Sequence, residues 1–176
     1  MYFFLKVFLS IFLSTKLMVE TFDVIIEIPL GSRIKYEIDK KTNLVRVDRY
    51  LKTPIPYPFN YGYFPNTLAE DNDPLDAILL IHEPLVPGCI IECVIIGGIE
   101  MIDSSEIDHK IFVIPKTSLN FDNNNMEIDG KITDTYEKEV RFFLENYKSL
   151  ENKKVILGKS FTQKQAIELY YKTKIN

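Results

Sequence analysis

Cysteine and histidine are scarce in this chain of 176 residues, which contains two of each. Cys89 and Cys93 lie four positions apart in an apolar run. On one strand they would point to the same face about 13 Å apart, too far for a disulfide. We therefore predict two free thiols that act as small hydrophobic side chains. No His-x-x-x-His spacing indicates zinc, so an imidazole or thiolate metal centre is not expected.

Positive charge is also limited, because 21 lysines and arginines face 25 acidic residues for a net charge of −4. General nucleic-acid binders usually carry a basic patch, so this class is disfavoured. A phosphate substrate is not excluded, since bound divalent ions reverse the local sign of an acidic site. The 46% hydrophobic and 26% charged residues are ordinary for a soluble globular protein of one domain.

The amino terminus contains an apolar run, Tyr2–Leu13, interrupted by one lysine and one serine. It is too short to span a bilayer and lacks the charged start and small-residue cleavage site of a signal peptide. We expect residues 1–22 to form an apolar extension that is dispensable, or absent if Met18 is the true start, and residues 23–176 to form one domain. A working export signal is the alternative; otherwise the predicted location is the cytoplasm.

Hydrophobic alternation of period two predicts a strand-rich chain. The predicted strands are Asp23–Pro29, Ile34–Ile38, Leu44–Tyr50, Ala77–His82, Ile90–Ile96 and Lys110–Pro115. The second and third are expected to form a hairpin, because a polar segment joins them. The polar, acidic segment Asn120–Gly130 is predicted to be a loop.

Two helices are predicted to close the chain. Asp134 as N-cap, with Glu137 three residues later, resembles a capping box, and apolar residues then repeat at helical spacing as far as Leu150. Thr162 and Gln165 begin the second helix. Short strands without regular helical crossovers favour a mainly β barrel with helices over a parallel doubly wound sheet.

Aspartate is concentrated in two short stretches. Asp71, Asp73 and Asp76 fall within six positions, and Asp103 and Asp108 stand five apart further along the chain. Carboxylates this close repel one another unless cations lie between them. Oxygen ligands without nitrogen or sulfur suit Mg²⁺, Mn²⁺ or Ca²⁺, and Mg²⁺ usually completes its shell with water and phosphate oxygens. The cluster therefore indicates metal-dependent phosphate chemistry.

The stretch Asp71-Asn-Asp-Pro-Leu-Asp76 resembles the D-x-D-P-x-D signature of the family I soluble inorganic pyrophosphatases. Six further segments match the family in order and approximate spacing: Glu27–Pro29, Ile34–Asp39, Val47–Arg49, Tyr57–Tyr63, Asp103–Lys110 and Tyr147-Lys148. The resemblance implies a five-stranded OB-like closed barrel flanked by two C-terminal helices, commonly assembled as a homohexamer. It also implies Mg²⁺-dependent hydrolysis of pyrophosphate to two phosphates by in-line attack of a metal-activated water.

The resemblance assigns roles to matching residues. It implies that several Mg²⁺ ions, for which Mn²⁺ is a substitute, are held by Asp71, Asp76, Asp103, Asp108 and Glu37. It implies that Asp73 takes a proton from the attacking water and that Tyr61 orients this carboxylate. Lys35, Arg49, Tyr147 and Lys148 match the residues that bind substrate phosphates, and Lys110 matches a positive charge beside the metal cluster. Glu27 and Tyr57 are expected just behind the metal ligands.

Two other functions stay open at this point. A non-catalytic OB-like module for single-stranded nucleic acid would line its groove with basic and aromatic residues. A purely structural metal-binding protein would not need Lys35, Arg49 and Lys148 beside the acids. The enzyme interpretation predicts pyrophosphate as partner, with no nucleic acid or membrane. Phe142 and Asn146 stand where bacterial relatives often have histidines, which puts the hexamer in question.

Overall fold

The computed structural model of the chain describes residues 19–117, 127–128, 131–151 and 153–175. Within these ranges five strands close into a ring, and two helices pack near the C-terminal end of the chain. The predicted mainly β architecture with two C-terminal helices is confirmed. Among the described helices, none is long and apolar enough to cross a membrane.

Eleven strands lie in the described ranges. In chain order they are β1 (Phe22–Ile28), β2 (Ile34–Ile38), β3 (Val45–Tyr50), β4 (Asn60–Tyr63), β5 (Asp76–Leu79), β6 (Ile90–Asp103), β7 (Glu106–Ile107), β8 (Lys110–Pro115), β9 (Glu127–Ile128), β10 (Lys131–Ile132) and β11 (Val155–Phe161).

The ring closes because β1 pairs with a strand on each of its edges, antiparallel to β4 on one side and to β6 on the other. From β4 the ring continues through β5 and β8 to β6. Only the β5–β8 pair of this ring is parallel. The long β6 also pairs with β7 and β11, while β2 and β3 form a separate hairpin, as predicted.

Two apolar clusters lie on opposite faces of the strands, as alternation along β8 illustrates. Phe112 and Ile114 belong to the cluster that includes Val140 and Phe143, whereas Ile111 and Val113 pack in the cluster that includes Ala166. Burial of these apolar side chains is the main favourable contribution to the fold. The two clusters fix the C-terminal helices against the ring.

Gly62 lies on β4 against the backbone of β1. A Cβ atom at this position would stand 2.0 Å from the carbonyl oxygen of Ile25. Only glycine fits without a backbone shift. The close approach fixes the neighbouring Tyr61 and Tyr63, both of which reach the cavity described below.

The helices are α1 (Asp134–Asn146) and α2 (Gln163–Thr173), and a 3-10 turn, Ser149–Glu151, follows α1. The predicted N-cap of α1 is wrong by one position, because Asp134 has helical geometry and the extended Thr133 precedes it as N-cap. The start of α2 agrees with the prediction: Thr162 and Gln165 form a reciprocal capping box. Leu150, expected on the apolar stripe of α1, lies in the 3-10 turn and is exposed.

Two predicted strands differ in length from those observed, and β4, β7 and β11 lie outside the predicted strands. The predicted strand Ile90–Ile96 continues to Asp103, because the register with β8 shifts in a bulge between Ile95 and Gly97 and pairing then resumes. The predicted strand Ala77–His82 is shorter, ending at Leu79. Strand β11 was not predicted, since the polar half of Val155–Phe161 obscures alternation. Cys89 and Cys93 are free thiols, as predicted.

Two predictions lie mainly outside the described residues. Of the predicted extension, residues 1–18 are not described, while Phe22 starts β1 and is buried against Phe64 and Tyr170. Of the predicted loop 120–130, the described part is β9, which pairs with β10.

Candidate active site

A polar cavity of about 360 Å³ opens between the β2–β3 hairpin, the loop before β5, the β6–β7 turn and the C-terminal end of α1. Thirteen of the predicted site residues line it: Glu27, Lys35, Glu37, Arg49, Tyr57, Tyr61, Asp71, Asp73, Asp76, Asp103, Asp108, Tyr147 and Lys148. Lys110 is buried behind the wall, in contact with Asp76 and Asp108.

A tight turn before β5 presents the first group of carboxylates. The backbone N–H of Asp73 donates to Asp71 Oδ1 at 3.1 Å, and the carbonyl of Asp73 accepts from Ala69 at 2.8 Å. Asn72 has a φ of 67°, a left-handed conformation that asparagine tolerates better than most residues. The turn therefore places Asp71 and Asp73 at the cavity, and Asp76 follows as the first residue of β5.

The two-residue turn between β6 and β7 presents the second group. Ser104 and Ser105 both have positive φ values, of 53° and 78°, as a hairpin turn with the twist of its strands requires. Ser104 Oγ donates to Asp103 Oδ1 at 3.0 Å, and the N–H of Asp108 donates to the carbonyl of Met101. Asp103, the last residue of β6, and Asp108, which follows β7, both line the cavity.

Lysine ammonium groups neutralise the clustered acids. Lys110 Nζ donates to both Asp76 and Asp108, and Lys148 Nζ donates to Asp103. Burial raises the pKa of Asp76 despite the opposing charge of Lys110. Burial has the same direction at Asp108, but there Lys110 outweighs it and lowers the pKa. Asp76 and Asp108 thus share the buried ammonium group of Lys110.

The donor set fits a hard divalent cation. Every acidic side chain at the cavity offers oxygen only, the donor type that Mg²⁺, Mn²⁺ and Ca²⁺ prefer. Across the described ranges, no three or more acidic, histidine or cysteine side chains are already gathered around one point. Lys110 pairs with Asp76 and Asp108, and Lys148 pairs with Asp103, so part of the negative charge of the cluster is already balanced by ammonium groups.

The β2–β3 hairpin supplies cations from adjacent strands. Lys35 and Arg49 are direct cross-strand partners, and both line the cavity. Lys35 Nζ lies 2.5 Å from Glu37 Oε1, and Arg49 Nη1 lies 2.6 Å from Asp48 Oδ2. These alternating charges hold a guanidinium and an ammonium at the cavity, where their donors match phosphate oxygens.

Aromatic rings and one unusual acid form the inner wall. The Tyr57 ring contacts the rings of Tyr61 and Phe143, with centroids 5.6 and 4.7 Å apart. Burial, followed by the charge of Asp76, raises the pKa of Tyr61, so its hydroxyl stays protonated and able to donate. Burial also raises the pKa of Glu27 to about 7, although this carboxyl accepts a hydrogen bond from Ile38 N–H.

Several charged residues at the site were missed by the sequence analysis, and three of them contact predicted site side chains. Lys40 Nζ lies 2.9 Å from Asp73 Oδ1, Asp48 contacts both Arg49 and Lys35, and Glu151 lies against Arg49. Asp48 lies within the matched segment Val47–Arg49, and Lys40 directly follows the matched segment Ile34–Asp39. Their positions near the site could therefore have been predicted. Nothing in the local pattern of Glu151 indicates its contact with a strand about a hundred residues away.

Comparison with known proteins places this geometry in a family. The family model described as inorganic pyrophosphatase matches residues 24–175. Soluble inorganic pyrophosphatase 3 of Arabidopsis thaliana is 42% identical over 147 residues, which cover 84% of this chain and 67% of the relative. Inorganic pyrophosphatase of Aquifex pyrophilus is 42% identical over 128 residues, covering 73% of this chain and 72% of the relative.

Solved structures agree in fold. An inorganic pyrophosphatase from Coxiella burnetii superposes with a TM-score of 0.81 at 32% identity, covering 88% of this chain and 94% of that one. The inorganic pyrophosphatase of Helicobacter pylori also gives 0.81 at 32% identity, with coverages of 90% and 96%. The match to the family model over most of the described chain, together with these relatives, shows that the chain belongs to the family I soluble inorganic pyrophosphatases, enzymes of the inorganic diphosphatase class.

Proposed function

We propose that this chain hydrolyses inorganic pyrophosphate to two phosphates, with Mg²⁺ as cofactor and water attacking in line. The observation that carries the proposal is the lining of one cavity by both halves of such a site. Five aspartates meet the cationic side chains of Lys35, Arg49 and Lys148 there. A purely structural metal site has no use for these cations, whereas a phosphate substrate does.

The metal ligands proposed from the donor set are Asp71, Asp76, Asp103, Asp108 and Glu37, with Mn²⁺ as a substitute for Mg²⁺. When bound, the ions would neutralise the anionic substrate and lower the pKa of coordinated water. Glu27 and Tyr57, behind these ligands, help to fix their positions.

Asp73 is the proposed base that takes a proton from the attacking water. It lies on a turn at the cavity, and its side chain is 69% exposed, so solvent water reaches the carboxylate. The protonated hydroxyl of Tyr61 is proposed to orient Asp73, although in this structure its side-chain hydrogen bond is made with the nearby Asp76. Proton transfer by a positioned carboxylate contributes a factor of about 10² to 10⁴ in rate.

The phosphates are bound by the cationic side of the cavity. Arg49 offers a planar fork of donors, while Lys35 and Lys148 offer compact charges. Tyr147 adds a hydroxyl whose pKa is raised by burial, so this group stays a donor. Lys110 remains behind the acids, where it keeps Asp76 and Asp108 from repelling each other.

A homo-oligomer, with the hexamer favoured, is the proposed assembly, and the cytoplasm is the proposed location. Ile107, Ile102 and Ile156 are cross-strand neighbours on β7, β6 and β11, and all three are between 38 and 47% exposed. Phe142 on α1 is 58% exposed. Sedimentation velocity tests the assembly: a monomer at micromolar concentration contradicts it.

The function is tested by measuring phosphate released from pyrophosphate by chelator-treated protein before and after Mg²⁺ is added. We expect activity only with the ion, and inhibition by excess Ca²⁺, whose larger and looser coordination misplaces the water. Asp71→Asn should lose activity, while Asp23→Asn, on the exposed side of β1, should not. Equal rates without metal contradict the metal requirement, and wild-type protein inactive with Mg²⁺ contradicts the function.

A further inference from the structure

A carboxylate behind the cationic side of the cavity points at a guanidinium without bonding to it. Glu151 is the last residue of the 3-10 turn after α1, and its side chain is only 8% exposed. Its Oε2 lies 3.7 Å from Arg49 Nε, close enough for an ion pair but beyond hydrogen-bond distance. Arg49 Nε and Glu151 Oε1 are buried polar atoms for which the described chain supplies no hydrogen-bond partner.

Such a contact is unfavourable as a purely structural feature. Buried donors and acceptors are nearly always paired, and those left unpaired weaken the fold. A buried ion pair without its hydrogen bonds is, in turn, poor evidence of a stabilising role. A closure of about 0.8 Å between the two groups would give an ordinary N–H···O distance of about 2.9 Å.

The other edge of the same guanidinium faces the site. Arg49 Nη1 donates to Asp48 Oδ2 at 2.6 Å, and Arg49 lines the cavity. Because the guanidinium is planar with its donors in a fixed fork, the partner of Nε determines the plane in which the terminal nitrogens lie. A carboxylate on the Nε edge therefore aims the nitrogens that meet a phosphate.

Glu151 also connects Arg49 to a second cation of the site. Its backbone N–H donates to the carbonyl of Lys148 at 2.8 Å, so one short turn carries both residues. Arg49 belongs to the hairpin and Lys148 to the end of α1. The Glu151–Arg49 contact thus crosses between the two elements that present the cationic groups.

We propose that Glu151 is a positioning residue for Arg49. Its carboxylate closes onto Arg49 Nε when the terminal nitrogens leave Asp48 for a phosphate group, and it holds the guanidinium plane in register with Lys148. This role rests on the proposed function insofar as Arg49 binds a phosphate of the substrate.

The first test compares Glu151→Gln with Glu145→Gln. Both remove one negative charge from the same region, but Glu145 lies on the exposed surface of α1. We expect Glu151→Gln to raise KM for pyrophosphate about tenfold, the effect of one charge-assisted hydrogen bond, with a smaller change in kcat. Glu145→Gln should stay within twofold of wild type. An unchanged KM in folded Glu151→Gln protein overturns the proposal.

The second test asks whether Glu151 acts through Arg49. In an Arg49→Lys background the Nε donor is gone, so adding Glu151→Gln should change KM by less than twofold. If Glu151 were merely structural, Glu151→Gln would raise KM by the same factor in both backgrounds. That result overturns the proposal. Glu151→Asp, which keeps the charge on a shorter chain, serves if the glutamine variant does not fold, and it should show an intermediate KM.

Calorimetric binding of inorganic phosphate in the presence of Mg²⁺ separates this proposal from the proposed function. Wild-type protein that binds phosphate but releases none from pyrophosphate contradicts the function alone. The positioning role is then tested by the phosphate affinities of four proteins: wild type, Glu151→Gln, Arg49→Lys and the double variant. Additive losses of affinity contradict the positioning role, and non-additive losses support it.

Discussion

Lys110 Nζ lies 2.5 Å from Asp76 Oδ2, and the lysine side chain that makes this contact is only 1% exposed. Lys110 also donates to Asp108, and its charge lies 5.9 Å from the centre of the Tyr61 ring. Burial alone would lower the pKa of Lys110, but the two carboxylates outweigh it and raise the pKa. The ammonium is therefore a permanent cation within the acidic cluster.

Replacing Lys110 by methionine should leave two partly buried carboxylates without their cation. Removing one partner from a buried ion pair costs about 3 to 5 kcal/mol. We expect a comparable fall in the free energy of unfolding, measured by urea denaturation of metal-free protein. Lys116→Met, which breaks the exposed pair with Glu92, is the control and should cost at most about 1 kcal/mol. Equal losses in both variants would show that Lys110 contributes nothing special.

Asp73→Asn should lower kcat by about 10² to 10⁴ while the fold persists, because an amide cannot accept the proton of the attacking water. Asp76→Asn is the contrasting variant and should weaken Mg²⁺ binding. Metal titration by calorimetry and steady-state rates at saturating Mg²⁺ distinguish the two. Normal turnover of Asp73→Asn would reduce Asp73 to a turn residue.

Asp39 should titrate far below other aspartates. Hydrogen bonds from Thr42, first from its N–H and then from its hydroxyl, and from Arg46 lower the pKa of Asp39 to about 2. Because the folded pKa lies below the ordinary 3.8, stability from these bonds is complete above pH 3.8 and is lost as pH falls toward 2. A carbon-detected NMR titration measures the midpoint, and Asp39→Asn should abolish this part of the acid sensitivity. A midpoint near 4 would contradict the hydrogen-bonded turn.

Gly62→Ala should lower the free energy of unfolding by about 3 kcal/mol, the upper range for overpacking, because the new methyl group meets a backbone oxygen that cannot turn aside. Thermal unfolding followed by circular dichroism measures the loss. Ala77→Gly, which removes a methyl group from the register partner of Gly62 on β5, supplies a comparison in which space is created. If Gly62→Ala melts with wild type, β1 and β4 are further apart than described.

Much of this architecture could be predicted from the sequence, because a strand with one buried face has apolar residues at every second position. Val24, Ile26 and Ile28 alternate and are all fully buried, which is why β1 was predicted to within one residue. This alternation is lost where glycine residues interrupt a strand. Gly97 and Gly98 suggest an end to the strand, yet they allow β6 to bend so that Gly98 passes close to the carbonyl of Lys110.

The site was predicted through short motifs rather than through geometry. Asp71 and Asp73 lie on one turn and Asp76 starts the strand that follows it, so their proximity follows from sequence alone. The contact of Glu151 with Arg49 depends instead on how α1 docks against the hairpin, which no local pattern encodes. Lys110 was expected near the metals, but a fully buried lysine between two acids is a result of tertiary packing.

The closed ring also constrains the order of events during synthesis. Ile25 pairs with Tyr63 on one edge and with Ile90 on the other, so β1 leaves the ribosome well before either partner exists. At about 5 to 20 residues per second, the second edge waits roughly 3 to 13 s. Throughout this interval at least one edge of a strand with an apolar face is unpaired, a condition that favours aggregation. The ring that assembles the site is therefore complete only after the sixth strand has emerged.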